Sequence, residues 1–282
     1  MNNSKSILVT GNNGFIGRKL VELLRERKFV VEEFDQADGD ISEHQFTFSE
    51  VGHVFHLASQ TYVPDSWERP LDFYRTNVLG TANILELCRK QGCSLTYVSS
   101  YVYGTPTYLP VDEKHSIHPA SPYNHSKLVA EDICKYYAET FQVPVAILRP
   151  VNIYGSGQRG EFLIPTIIKQ VLDPTMKSIS VRDTRPKRDY LYIDDFLDVL
   201  ICTIGINGFE IYNIGSGYSV SVEDIILTAL RCAGISKTII SENSERKNEI
   251  WDVYADISKF RERFCWRPQI SFEEGISRCI KA

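Results

Sequence analysis

The chain has 282 residues, 43% hydrophobic and 24% charged, which suits one large domain or a domain with an appended lobe and excludes a disordered or fibrous chain. Lys+Arg 31 against Asp+Glu 36 gives a net charge of −5, so the basic surface that nucleic-acid binding requires is not expected. No apolar run approaches the ~20 residues of a membrane span, and polar Met1–Ser6 followed by a short Ile7–Val9 run does not read as a secretory leader.

Along the chain, apolar runs alternate with helical patterns. Ser6–Thr10 reads as a buried strand and Phe15–Arg27 as a helix with one apolar face. Phe29–Phe34 and Val51–Leu57 read as strands, Leu71–Lys90 as a long helix, and Leu95–Ser99 as a fourth strand. Ser121–Thr140 is another helix and Val143–Leu148 a fifth strand. This alternation predicts an α/β fold, a doubly wound parallel sheet covered on both faces. After Arg149, Gly155, Gly157, Gly160, Pro165, Pro174 and Pro186 interrupt the pattern. Only Phe162–Leu172, Ser178–Val181, Ile193–Ile204 and Val222–Ala233 stand out there. The expected organisation is a dinucleotide-binding domain over 1–150, with segments at about 185–215 returning to it, and a smaller substrate-binding lobe over 151–282. The seven cysteines are scattered and form no C-x-x-C pair, so reduced thiols in a cytoplasmic protein are expected. His115, His118 and His125 have no metal-ligand spacing, and no metal is expected.

The segment Thr10–Gly17 (TGNNGFIG) closes the first strand and opens the first helix. That is the context of a dinucleotide fingerprint: Gly11 for the tight turn, Gly14 for close approach of a pyrophosphate, Gly17 for packing of helix on strand. The helix N-terminus carrying Phe15 and Ile16 supplies N–H groups to phosphates. Asp35 ends the second strand 18 residues beyond Gly17, where a carboxylate accepts hydrogen bonds from a ribose 2′-hydroxyl and repels a 2′-phosphate. NAD is therefore favoured over NADP. Asp40 and Ile41, just beyond, are candidates to flank the adenine.

Tyr123 and Lys127 lie four residues apart in YNHSK, on one helix face. An ammonium one turn from a phenol is expected to stabilise the phenolate and make it a usable proton acceptor. Ser99 and Ser100 end the fourth strand, where a hydroxyl in such a sheet faces the ligand crevice.

With these motifs, the chain resembles the extended short-chain dehydrogenase/reductases of the nucleotide-sugar epimerase and dehydratase group. The likeness extends through HLAS (His56–Ser59), NVLGT (Asn77–Thr81), SSYVYG (Ser99–Gly104), RPVNIYG (Arg149–Gly155), RDYLYIDD (Arg188–Asp195), YNIGSG (Tyr212–Gly217), ADISK (Ala255–Lys259) and WRPQISFEEGI (Trp266–Ile276). The resemblance implies Tyr123 as acid/base, Lys127 as its partner and holder of the nicotinamide ribose, and Ser99 or Ser100 as the third member. Counting back from Tyr103 favours Ser99. It further implies Leu57, Ala58, Ser59 and Asn77 along the NAD site, Pro150 near the nicotinamide, Asn152 on the sugar nucleotide and Arg188 on its diphosphate. A homodimer through the helices Leu71–Lys90 and Ser121–Thr140 is also expected.

Members of the group share hydride exchange between a sugar carbon and the nicotinamide, with the proton passing through tyrosine. The 4,6-dehydratases of the group carry an acid pair after the triad hydroxyl. Here Ser100-Tyr101 follows Ser99, which disfavours elimination. The expectation is an NAD-dependent epimerase acting through C4 oxidation and re-reduction. A 4-keto-6-deoxy nucleotide-sugar reductase is the alternative, suggested by the compact stretch between Asn152 and Arg188. A non-catalytic dinucleotide-binding sensor is more remote, because Tyr123, Lys127 and both serines are present.

Overall fold

The computed structural model describes residues 5–48, 50–244 and 249–282. In chain order the elements are β1 (Ser6–Thr10), α1 (Phe15–Glu26), β2 (Val31–Phe34), β3 (Val51–His56), α2 (Val63–Glu68), α3 (Pro70–Tyr74), a π-helical turn (Arg75–Leu79), α4 (Gly80–Gln91), β4 (Ser94–Val98), α5 (Pro122–Phe141) and β5 (Val145–Pro150). They continue with β6 (Asn152–Tyr154), α6 (Leu163–Leu172), β7 (Ser178–Val181), β8 (Lys187–Arg188), β9 (Tyr190–Tyr192), α7 (Ile193–Cys202), β10 (Phe209–Ile214), β11 (Val220–Ser221), α8 (Val222–Ala233), β12 (Thr238–Ser241), α9 (Ser258–Phe264) and α10 (Phe272–Lys281).

The chain divides into two compact units. The first comprises Met1–Gly104, Ser116–Pro150 and Leu197–Tyr212; the second comprises Thr105–His115, Val151–Phe196 and Asn213–Ala282. The first unit holds a six-stranded sheet in the order β10-β5-β4-β3-β1-β2, with parallel pairing from β5 through β2. Leu8, Val54, Leu95, Tyr97, Val145 and Ile147 share one core with Ile84, Leu85 and Cys88 of α4 and with Ala130, Cys134 and Ala138 of α5. Ile7, Val9, Phe55 and Leu148 alternate with them and are equally buried, as are Leu20 and Leu24 of α1. A sheet covered on both faces accounts for the continuous apolar strands in the sequence.

The expected single helix Leu71–Lys90 follows one path but contains the π turn. The Thr81 hydroxyl donates to the Asn77 carbonyl at 2.6 Å and competes with the regular ladder there. The strands β6, β8, β9 and β11, of two or three residues each, were too short to leave a periodicity. In the second unit β6 pairs with β9, β8 with β11, and β7 with β12. Among the described residues no helix is long and apolar enough to cross a membrane.

Candidate active site

The chain leaves β1 into a turn that only glycine can make. Gly11 has φ +73°, and a Cβ there would lie 2.8 Å from the Ala58 nitrogen; a Cβ on Gly17 would lie 2.1 Å from the Gly11 carbonyl oxygen. Gly14 occupies the N-cap of α1 without a side-chain cap, which leaves the first-turn N–H groups, Phe15 and Ile16 among them, facing outward for an anion. Asn12 donates to Glu33 at 2.7 Å, while its Oδ1 is buried in this turn without a partner. Thr10 joins the turn to the exit of β3. Its Oγ1 accepts from the Ala58 amide at 3.2 Å and pairs with His56 Nδ1 at 2.7 Å, and its carbonyl accepts from the Leu57 amide at 3.2 Å. A small cradle and an open helix end suit a dinucleotide pyrophosphate.

Asp35 adjoins this cradle, because the preceding Phe34 accepts the Gly11 amide at 2.7 Å. It is half-buried and receives the Ala37 amide at 2.7 Å. Asp40 is exposed and pairs with Arg75 at 2.9 Å; two hydrogen bonds from Ser42 hold its carboxyl below the usual range. Ile41 is buried against Gly80 at the start of α4. His56 bonds Thr10 and Thr81 inside the unit, and burial, aided by the Lys127 charge, holds it neutral with a pKa of about 3. It is a structural residue.

Ser121 caps α5, accepting the Asn124 amide at 3.2 Å, and Pro122 follows in the first turn. Tyr123 and Lys127 then project one turn apart. Lys127 is buried, with its ammonium 3.3 Å from Ser59 Oγ and 4.6 Å above the Tyr97 ring. Burial pushes its pKa down to about 7 against the opposing pull of Glu131 and Cys134. Asn77, in the π turn, fastens Ser59 in place. It accepts from Ser59 Oγ and the Gln60 amide, each at 2.9 Å, and donates to Ser126 Oγ at 2.9 Å. Leu57, Ala58, Ser59, Asn77 and Lys127 thus form one connected wall.

The two serines after β4 part company. Ser99 Oγ donates to the buried Glu131 carboxylate at 2.5 Å, whereas the Ser100 hydroxyl lies beside the Tyr123 phenol and receives Asn124 Nδ2 at 3.2 Å. Ser99 is therefore engaged with Glu131, and Ser100 is the serine beside the tyrosine. Burial pushes the Tyr123 phenol up, and the group that pulls it down is Ser100.

Sequence reading missed the support beneath this site. Arg149, on β5, pairs with Glu131, on α5; both side chains are 3% exposed. Arg149 Nε reaches the two Glu131 oxygens at 3.0 and 3.1 Å, and one terminal nitrogen donates to the Tyr103 hydroxyl at 2.9 Å. Pro150, next in the strand, is buried at its end.

In the second unit, Asn152 Nδ2 donates to the Asp189 carbonyl at 2.9 Å. Arg188 pairs with Glu249 at 2.6 Å and donates to the Lys187 and Ile250 carbonyls. The structure does not give Arg188 the Asp189 carboxylate, which instead receives the Ser216, Gly217 and Ala255 amides and the Ser216 hydroxyl. Among the described residues no group of three His, Cys, Asp or Glu side chains could hold a metal ion.

A parallel sheet with a glycine cradle at one strand end and a Tyr–Lys–Ser constellation beside it defines a short-chain dehydrogenase/reductase of the extended type. The chain belongs to the NAD dependent epimerase/dehydratase family, whose family model matches residues 7–215. It is 35% identical to a putative UDP-glucose 4-epimerase of Methanocaldococcus jannaschii, covering 97% of each chain. It is 28% identical to a GDP-6-deoxy-D-mannose reductase of Pseudomonas aeruginosa, over 97% of this chain and 95% of that one. Among solved structures, RMD from Pseudomonas aeruginosa complexed with NADPH superposes with a TM-score of 0.90 at 27% identity, covering 99% and 98% of the two chains. MoeE5 in complex with UDP-glucuronic acid and NAD gives 0.89 at 27% identity, covering 98% of each. The protein is thus an enzyme of the NAD(P)-dependent nucleotide-sugar epimerase, dehydratase and reductase class.

Proposed function

We propose that the protein is an NAD-dependent nucleotide-sugar 4-epimerase. The observation that carries this reading is a site with one acid/base group, Tyr123, beside Ser100, the serine being followed by Tyr101-Val102-Tyr103 rather than by carboxylates. Glu131, the carboxylate built in beside the constellation, is committed to Arg149 and Ser99, so elimination has no acid to use. A reaction that removes one proton and later returns it needs nothing more. The relative named as a putative UDP-glucose 4-epimerase supports the same reading.

The residues divide the work. Bound NAD supplies the hydride acceptor and, after the sugar turns over, the donor. The α1 N-terminus with Gly11, Gly14, Phe15, Ile16 and Gly17 holds the pyrophosphate, and Asp35 accepts from the adenosine ribose, with Asp40 and Ile41 toward the adenine. Leu57, Ala58, Ser59, Asn77 and Pro150 bound the nicotinamide half, and Lys127 donates to its ribose. Tyr123 takes the C4 hydroxyl proton and gives it back, while Ser100 holds the same oxygen by a hydrogen bond. Asn152 contacts the sugar nucleotide and Arg188 its diphosphate, for which the guanidinium exchanges its Glu249 partner.

A keto-sugar reductase is the second reading, favoured by the similarity to the GDP-6-deoxy-D-mannose reductase and to the neighbour solved with NADPH. Denaturing the purified protein and analysing the supernatant separates the two. The epimerase reading expects stoichiometric NAD and no NADP; an empty site that consumes NADPH once per substrate would establish the reductase. We also propose a homodimer through α3–α4 and α5, where Leu71 (80%), Leu79 (56%) and Tyr136 (58%) are exposed. The seven free cysteines support a cytoplasmic location.

A further inference from the structure

We propose that Asn124 is a positioning residue for the reaction: its side-chain amide fixes the direction in which the Ser100 hydroxyl offers its proton. The inference rests on the reading of Tyr123 as acid/base and extends it to a residue that neither the motif nor the resemblance singled out.

Every polar function of this amide is used within the first unit. Nδ2 donates to Ser100 Oγ at 3.2 Å and to the Tyr101 carbonyl at 2.9 Å, and Oδ1 accepts from Ser121 Oγ at 2.7 Å. Ser121 Oγ in turn accepts the Asn124 amide at 3.2 Å, so the Ser121 proton is available for Oδ1. The orientation of the amide is thereby determined. A flipped side chain would set Oδ1 against the Tyr101 carbonyl, acceptor to acceptor, and NH₂ against Ser121.

The consequence falls on Ser100. A hydroxyl has one proton and two lone pairs. Asn124 occupies one lone pair, and an N–H donor cannot receive the Ser100 proton. That proton is left to turn toward the Tyr123 phenol, which lies beside Ser100, and toward a substrate oxygen placed there. A serine held this way stabilises the phenolate rather than competing with it. The N-cap of α5, the turn after β4 and the catalytic tyrosine are joined through a single side chain.

A purely structural clamp would tie the turn to the helix without affecting how Tyr123 titrates, and that difference provides the test. Protein labelled with [¹³Cζ]tyrosine and saturated with NAD is titrated by NMR, the Tyr123 resonance being the one lost in Tyr123→Phe. Asn124→Asp keeps the shape but turns the donor into an acceptor for the Ser100 proton. Asn124→Ala removes the amide and favours the helix, so it carries the test if the carboxylate variant does not fold. One neutral hydrogen bond corresponds to roughly tenfold in an equilibrium. The Tyr123 midpoint should therefore rise by about one pH unit in Asn124→Ala and by more in Asn124→Asp, with NAD affinity unchanged. Folded variants whose Tyr123 midpoint matches the parent would overturn the inference, and the acid/base reading would stand provided Tyr123→Phe is inactive. Turnover retained in Tyr123→Phe would overturn both.

Discussion

Arg149→Met tests the reasoning about the buried support more severely than any surface change. In the intact protein the guanidinium gives the Glu131 carboxylate contacts at 2.5, 3.0 and 3.1 Å, and both side chains are sealed from water. Burial alone would push the guanidinium down; the Glu131 contacts more than offset it and raise it above its ordinary value. Methionine fills much of the space but donates nothing. Glu131 is then left buried with Ser99 as a donor, and Tyr103 loses its partner at 2.9 Å. Removing one partner of such a pair costs about 3–5 kcal/mol, a large share of the ~5–15 kcal/mol that holds a domain together. Thermal unfolding followed by circular dichroism should show a midpoint about 10 °C lower. Urea unfolding of the double variant Arg149→Met, Glu131→Leu should recover most of the loss, because no unpaired charge remains. An Arg149→Met protein within 1 kcal/mol of the parent, on the order of a single ordinary hydrogen bond, would refute the claim that this pair is sealed and coupled.

Two further outcomes follow from the same structure. Burial lowers Lys127 from 10.5 to about 7, so its ammonium is present below pH 7 and is lost as pH rises through that value. NAD affinity measured by calorimetry should weaken about tenfold between pH 6 and 9, and Lys127→Met should bind weakly at every pH; a flat profile in the parent would contradict the assignment. The unliganded protein should also gain stability between pH 7 and 10.5, because there the unfolded chain holds the Lys127 proton that the folded one has released. The proposed dimer predicts a single species of twice the 32.2 kDa chain mass by sedimentation at micromolar concentration, converted to monomer by Leu71→Glu with Leu79→Glu; a monomeric parent would count against it.

The parts legible in the sequence were those in which one residue type is forced by backbone geometry or local spacing. Gly11 and Gly17 could be read because no Cβ fits there, and Tyr123 and Lys127 because four residues make one helical turn. What stayed hidden depends on contacts between distant segments. Nothing local marks Glu131 as different from any other helix carboxylate, yet it is buried because Arg149, 18 residues on, lies against it. Ser99 and Ser100 both reach α5, at Glu131 and at Asn124, and which α5 residue each one meets is a fact of packing. The π turn at Arg75–Leu79 reflects a single hydroxyl, Thr81, acting within the helical stretch.

The central claim is that Tyr123 carries the proton of a reversible oxidation at a sugar carbon. The direct measurement is turnover of Tyr123→Phe beside the parent, assayed by chromatography of nucleotide-sugar epimer pairs that include UDP-glucose and its C4 epimer. The parent should equilibrate one such pair without added cofactor. Loss of the phenolic proton carrier should lower that rate about 10²–10⁴-fold, with NAD content and unfolding midpoint unchanged. A Tyr123→Phe protein that equilibrates the same pair at near the parental rate would contradict the account.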